Sequence, residues 1–468
     1  MPRWMAGPVV SRIGSGAVWT STVISTTMKR AMRCTTHWRC TGGSARGDSI
    51  AADTARGVCP IPTLGPRPAA TPGSDLPMTS PDHQRPMGAR IYNLFPTLLG
   101  PVPNWHQRLP AIADMGFDWI FLNPVQLPGA SGSLYSIKDP GRLNPALRTA
   151  GQGAGDGPGK PPMDDDRLLR AFCAAAQAHG IRVMLDLVIN HSARDSVLVD
   201  AHPAWFARDV HGHVRSPFVR DLDDGDKVTV WEDLAELDYS ERPARDAMLR
   251  FWEQQIGHYL GLGFAGFRCD AAYKLPADVW RRLIGSARRQ DPQACFFAET
   301  LGAPQEAVEQ LRGAGFDYLF NSAKWWDFRA GWLLDQYQRF RSLAPSVAFP
   351  ESHDTERLAA ESGGSARESR FKYLFAAVFS AGVMMPIGYE LGFRRALHVV
   401  ETTPDDWAQG CAESPFDISD YIARVNAMKA DTPVLCEEGP QERVTDPHEP
   451  LVGLLRRTNG SAQRSLAL

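Results

Sequence analysis

Eight short apolar runs, rich in β-branched and aromatic residues, alternate with helical patterns between residues 89 and 388 of this 468-residue chain. The runs are 89–95, 115–124, 181–189, 263–269, 294–299, 316–321, 346–351 and 382–388. Such alternation is typical of βα units that build a parallel sheet. Eight units over roughly 300 residues predict a closed (β/α)8 TIM barrel, of α/β class, rather than an open sheet.

Two of the helical patterns have clear ends. The stretch 164–179 begins with three aspartates, which suit the positive end of a helix, and stops before Gly180. The stretch 243–260 begins at Pro243, a residue favoured at the first helical position. Both patterns predict helices on the outside of the barrel.

The chain outside these units divides into three further parts. The 73 residues between Ile189 and Gly263 exceed what one loop and one helix need, so we predict a small domain inserted after the third strand, at about 192–242. We predict a catalytic barrel over 89–395. Residues 396–468 contain a helical pattern at 416–429 and a strand-like run at 451–457, which predicts a helix and a short or truncated β region.

Residues 1–88 have a different composition. They are rich in Ser, Thr, Gly, Pro and Arg, and they carry ten Lys and Arg against four Asp and Glu. They contain no sustained apolar period that could bury a core. We therefore expect a disordered or non-native N-terminal extension.

Charge, hydropathy and cysteine use limit the classes of partner. Because 50 basic residues balance 53 acidic ones, the chain as a whole has no excess of positive charge that would bind nucleic acid. The most apolar stretch, 373–389, is interrupted by Ser380, Gly382, Pro386 and Gly388, so no membrane span is expected. The eight cysteines form no CxxC pair, which argues against zinc and favours a cytoplasmic location.

Carboxylates stand at the ends of four predicted strands: Asp186, Asp270, Glu299 and Asp354. Active sites of such barrels lie at the C-terminal ends of the strands. One aspartate after a strand is more often a helix N-cap than a catalyst. Four carboxylates together, however, predict a buried cluster whose pKa values are driven apart, as acid–base chemistry requires.

Four segments in this order carry a family resemblance: DLVINH at 186–191, GFRCD at 266–270, FAET at 297–300 and ESHD at 351–354. They resemble the four sequence regions of the α-amylase superfamily, glycoside hydrolase family 13. The resemblance implies a retaining glycoside hydrolase or transglycosylase that acts on the α-glucosidic bonds of an α-glucan or maltooligosaccharide.

The resemblance also implies roles for individual residues. Asp270 would be the nucleophile, Glu299 the general acid and base, and Asp354 a third carboxylate that orients the sugar and stabilises the transition state. A retaining mechanism needs such a nucleophile and such a proton donor. The residues expected to bind substrate are Tyr135, Asp139, His191, Arg268, Lys274 and His353, with Tyr135 stacking under the sugar and Asp139 supporting it.

The sequence departs from the family pattern after the nucleophile, where it reads DAAYK. Tyr273 occupies the position at which hydrolytic amylases often carry lysine, and Lys274 follows one residue later. The resemblance therefore does not extend to the acceptor side of the site. No cofactor is required by this chemistry, although Asn190 occupies a calcium-ligand position in many family members, which makes calcium a candidate ligand.

Two alternative functions remain open. The stretches 267–280 and 291–304 resemble maltosyltransferases that use maltose 1-phosphate, whereas ESHD keeps the His–Asp pair of ordinary amylases. The same barrel also occurs as a non-catalytic subunit of amino-acid transporters, in which the catalytic carboxylates are lost. Because all three carboxylates are present here, an enzyme is favoured over such an interaction protein.

Overall fold

A computed structural model describes residues 88–149, 163–220, 228–240, 243–446, 448–449, 451–459 and 464–467. The predicted N-terminal extension lies outside the described residues, apart from Gly88. No helix in these ranges is long and apolar enough to cross a bilayer.

Eight parallel strands close into a barrel. They are β1 (Arg90–Leu94), β2 (Trp119–Leu122), β3 (Arg182–Leu187), β4 (Gly266–Cys269), β5 (Cys295–Glu299), β6 (Tyr318–Phe320), β7 (Ser346–Ala348) and β8 (Gly382–Pro386). Each strand pairs with its neighbours in the sequence, and β8 returns to pair with β1. Every strand lies within one predicted apolar run, so the predicted (β/α)8 barrel is confirmed.

Helices surround the barrel because each connection must return the chain to the start of the next parallel strand. The helices are Pro96–Leu99, Val102–Trp105, Leu109–Asp114, Met163–Ala178, Val197–Ala201, Pro243–Gly261, Ala277–Gln290, Gln305–Glu309, Trp332–Phe340, Leu358–Glu361, Ala366–Phe379, Pro404–Ala412 and Ser419–Asp431. Both helices predicted with clear ends are found within one residue of the expected bounds. Pro243 is the first residue of its helix, as expected.

Large aromatic side chains fill the barrel interior. Phe297 of β5 stacks on Tyr318 of β6, with ring centroids 4.9 Å apart, and meets Trp119 of β2 edge to face at 5.3 Å. Every residue of β2 and of β5 is buried. A packed interior of this kind fixes the strand ends rigidly, which is what a site built from several strands needs.

The segment predicted as an insertion after the third strand contains two small antiparallel sheets. Short strands His191–Ala193 and Leu234–Glu236 pair antiparallel, and Phe218–Arg220 pairs with Val228–Val230. The chain after the barrel contains the helix Ser419–Asp431 and a three-stranded antiparallel sheet of Gln441–Arg443, Leu454–Arg457 and Arg464–Ala467. The helix Pro404–Ala412 in this part was not predicted.

Candidate active site

Arg268 lies at the centre of a buried cluster of carboxylates. Its Nη1 donates to both carboxylate oxygens of Asp186 and to Oδ1 of Asp270, each at 2.9 Å. Its Nη2 lies 4.0 Å from Oε2 of Glu299 and 4.0 Å from Oδ2 of Asp354. Arg268 and Asp186 are register partners on β4 and β3, so the barrel itself brings these opposite charges together.

Asp270 follows β4 directly, and its backbone N–H still donates to the carbonyl of Leu187 on β3. The Nδ2 of Asn190 donates to its Oδ2 at 3.2 Å, while Arg268 holds Oδ1. Burial raises the pKa of Asp270, whereas Arg268 and Asn190 act in the opposite direction by stabilising the charged form. The sequence-predicted nucleophile therefore has both oxygens positioned by donors.

Glu299 is the last residue of β5. Its Oε2 accepts the backbone N–H of Ala271 at 2.9 Å, and its Oε1 accepts the backbone N–H of Leu301. Burial, together with the charges of Asp270 and Asp354, raises the pKa of Glu299 to about 7, although Arg268 and the Leu301 N–H oppose the shift. A carboxyl group with this pKa can give up a proton and take one back near neutral pH.

Asp354 and His353 follow β7 and reach the same cluster. The Nε2 of His353 lies 2.7 Å from Oδ1 of Asp354 and 2.7 Å from the hydroxyl of Tyr135. The Tyr135 hydroxyl donates to Oδ2 of Asp186 at 2.7 Å and accepts from Asn123 at 3.0 Å. Burial lowers the pKa of His353 and raises that of Asp354. The histidine is therefore neutral.

His191 lies beside Tyr135, with Nε2 at 3.1 Å from the Tyr135 backbone carbonyl. Burial and the nearby Lys274 lower the pKa of His191 to about 3. The ring is therefore neutral, and we assign its proton to Nε2, which donates to the carbonyl. His191 is thus a neutral partner at the edge of the cluster.

Lys274 and Asp139 are placed differently from the other expected substrate-binding residues. The Nζ of Lys274 lies over the ring of Trp231, 5.1 Å from its centroid, and burial lowers the lysine pKa. Asp139 does not support Tyr135: its Oδ1 accepts the N–H of Gly141, two residues later in the chain, in a local turn. Asp186 bonds Tyr135 instead.

Sequence reasoning misses three residues of this site and assigns no individual role to a fourth, Asp186. Asp186 was noted at a strand end but given no role, and Asn123 follows β2 directly, where the strand-end rule could have found it. Trp231 comes from the inserted segment, and no local pattern predicts its contact with Lys274. Ala271 contributes only its backbone N–H, which no side-chain motif reveals.

The three carboxylates that the sequence predicts to be catalytic are almost entirely buried. The side chains of Asp270, Glu299 and Asp354 expose 0%, 3% and 2% of their surfaces. Tyr273 and Lys274, three and four residues after Asp270, are the first partly exposed residues that follow it in the chain.

Calcium has little support from the side chains present. The Nδ2 of Asn190 is committed to Asp270, and its buried Oδ1 has no hydrogen-bond partner. Calcium takes six to eight oxygen ligands. Within the described ranges, no group of three or more His, Cys, Asp or Glu side chains could hold a metal ion.

Two substitutions distinguish the contributions of Asp186 and Asp139. We expect Asp186→Asn to lower turnover by about 100-fold, because it weakens the bonds that position Arg268 and Tyr135. Asp139→Asn should change turnover by less than about threefold, since its carboxylate bonds only its own turn. Initial rates on a maltooligosaccharide measure the two losses of turnover, and the melting temperatures of both variants check that they fold. Equal losses would show that Asp139 does support the site.

Comparison with known proteins supports the same kind of barrel. A family model described as the glucanotransferase domain of glycogen debranching enzyme matches residues 87–220. The α-1,4-glucan:maltose-1-phosphate maltosyltransferase of Burkholderia pseudomallei (strain K96243) is 29% identical over 364 residues, which are 77% of this chain and 30% of that protein. The enzyme of the same name from Myxococcus xanthus (strain DK1622) is 27% identical over 71% of this chain and 50% of its own length. This chain therefore spans at most half the length of these two relatives.

Solved structures show the same fold. An α-amylase from Lactobacillus plantarum superposes with a TM-score of 0.60 at 23% identity, covering 80% of this chain and 86% of the other. Trehalose-6-phosphate hydrolase from Bacillus licheniformis superposes with a TM-score of 0.62 at 13% identity, covering 81% and 89%. The predicted resemblance to the α-amylase superfamily, including its maltosyltransferase branch, is therefore confirmed.

Proposed function

We propose that this chain is a retaining enzyme that cleaves α-glucosidic bonds and passes the sugar to water or to another glucan. One observation carries the proposal: a single buried guanidinium, that of Arg268, binds Asp270 and lies 4.0 Å from both Glu299 and Asp354. This gathers a nucleophile, a proton donor with a raised pKa and a third carboxylate around one point. A retaining mechanism needs one carboxylate as nucleophile and a second carboxyl group as proton donor.

In the first step, the Asp270 carboxylate attacks the anomeric carbon as the bond to the leaving oxygen breaks. Glu299 gives its proton to that oxygen, so the leaving sugar departs as an alcohol. In the second step, the ionised Glu299 takes a proton from water or a sugar hydroxyl. That oxygen attacks the anomeric carbon and releases the Asp270 carboxylate.

The electrostatics of the cluster assist the exchange of roles. While Asp270 is charged, it raises the pKa of Glu299 and keeps the proton available. Once Asp270 is esterified, it is neutral, so this contribution disappears and the pKa of Glu299 falls. The same side chain is then suited to act as a base. Asp354, with His353 and Tyr135 beside it, is placed to bind the hydroxyls of the reacting sugar.

Activity should depend on pH through Glu299. The acid must be protonated in the first step, and its pKa is raised to about 7. We therefore expect kcat/KM to fall as the pH rises through about 7, and to fall at low pH as Asp270 takes up a proton. Rates from pH 4 to 9 check this. A plateau that extends to pH 9 would contradict the assignment of Glu299 as the proton donor.

A second function is favoured by the relatives' names. The two maltosyltransferases have maltose 1-phosphate in their names, and the same two carboxylates could release phosphate instead of a sugar. Lys274 lies in the turn that follows Asp270, and its ammonium group would be the cation that faces an anionic leaving group. The third function, a non-catalytic interaction protein, is opposed by the complete carboxylate cluster.

One set of incubations tests all three. The chain is incubated with maltooligosaccharides, sucrose, trehalose and maltose 1-phosphate, with Asp270→Asn as the control, and products are separated. Longer or shorter oligosaccharides would support action on glucans. Release of phosphate from maltose 1-phosphate would promote the maltosyltransferase. No turnover of any of these substrates would contradict an enzyme.

We infer a catalytic barrel over 89–395 that includes the insertion at about 192–242, followed by a C-terminal unit over 396–468. The proposed partner is an α-glucan or maltooligosaccharide, without nucleic acid. Cys173, Cys269, Cys411 and Cys436 are free thiols, which supports the cytoplasm as the proposed location.

A further inference from the structure

Ala271 has a backbone conformation that its side chain does not favour. Its φ of 41° and ψ of 48° are left-handed, and among the described residues it is the only non-glycine with positive φ. Such a conformation costs alanine roughly 1 kcal/mol, and strain of this kind collects at functional sites. Ala271 directly follows the proposed nucleophile, and it is buried.

The left-handed turn has a direct effect on the proposed proton donor. It directs the Ala271 N–H to Oε2 of Glu299 at 2.9 Å, while the Ala271 carbonyl accepts the N–H of Lys274. The peptide group that leaves Asp270 therefore bonds Glu299 on the neighbouring strand. This backbone connection between Asp270 and Glu299 is separate from the one that the Arg268 side chain makes.

We propose that Ala271 is a positioning residue, whose left-handed backbone N–H fixes the Glu299 carboxyl beside Asp270 and sets its readiness to release a proton. This inference rests on the proposed retaining function and deepens it. An N–H that donates to a carboxylate stabilises the charged form, so losing the donor should make Glu299 a weaker acid. The other titratable and charged groups that face Glu299 are Arg268, Asp270, Tyr273, Lys274 and Asp354.

Replacing Ala271 by lactic acid tests this most directly, because it turns the Asp270–Ala271 amide into an ester, which puts an oxygen in place of the N–H and keeps the methyl side chain. The readout is kcat/KM for maltohexaose measured between pH 4 and 9. The fall of kcat/KM at high pH, called here the basic limb, reports the pKa of the proton donor in the free enzyme. We expect this limb to move up by about one pH unit. A purely structural role would lower the melting temperature or kcat and leave the limb in place.

Leu275 supplies the matched control. Its N–H donates to the carbonyl of Ala272 in the same turn and makes no bond to Glu299. The corresponding ester at Leu275 should weaken the turn without moving the limb. If the Ala271 ester leaves the limb in place, or if the Leu275 ester moves it equally, the inference is overturned.

Two ordinary substitutions keep the test decisive if the ester does not fold. Ala271→Gly keeps the N–H and adopts the left-handed region freely, so its limb should match that of the wild type. Ala271→Val disfavours that region, so its limb should move up and kcat should fall. A shift in the glycine variant, or none in a folded valine variant, would contradict the inference. If the wild type itself does not convert maltohexaose, the proposed function has failed on this substrate, and the role of Ala271 is rejected with it.

Discussion

Asp270→Asn is expected to lower turnover of any α-glucosidic substrate by at least about 10⁴-fold while leaving the fold intact. The amide cannot form the glycosyl ester, and it keeps the size of the carboxylate beside Arg268. Initial rates, with melting temperature as the check on folding, measure the effect. Asp195→Asn is the control, because Asp195 makes an exposed ion pair with Lys138 at 2.9 Å. Substantial residual activity in the Asp270 variant would assign the nucleophile elsewhere.

Glu299→Gln should affect substrates according to their leaving groups. Natural glycosides need protonation of the leaving oxygen, so their turnover should fall by about 10³-fold or more. An α-glucosyl fluoride needs little protonation, so the first step at Asp270 should persist while the second slows for lack of a base. Azide, a nucleophile that needs no base, should then restore turnover of the fluoride. Equal losses on both substrates, without rescue by azide, would contradict the role of Glu299.

The sequence predicted the barrel and most of the site for the same physical reason. Strands buried on both faces appear as continuous apolar runs, and a polar residue at the end of such a run stands out. Asp270, Glu299 and Asp354 were found in this way, and the structure brings all three around Arg268. Once eight parallel strands are predicted, the pairing of β8 with β1 follows from closure of the barrel and needs no sequence motif of its own.

What the sequence could not reveal depends on tertiary contacts. The partner of Tyr135 is Asp186 rather than Asp139, because the loop after β2 carries Tyr135 back over the barrel, while Asp139 is committed to its own turn. Trp231 reaches Lys274 from an insertion whose path no periodicity predicts. Ala271 has no side-chain signal, since alanine is seldom expected in a left-handed conformation.

The most direct test of the account is to identify the residue that carries the sugar. Glu299→Gln is incubated with α-glucosyl fluoride, and the intact protein and its peptides are examined by mass spectrometry. The account predicts one added glucosyl unit on the peptide that contains Asp270, and none in the double variant that also carries Asp270→Asn. A glucosyl unit on the peptide that contains Asp354 or Asp186, or turnover without any adduct in either variant, would contradict the central claim that Asp270 is the nucleophile.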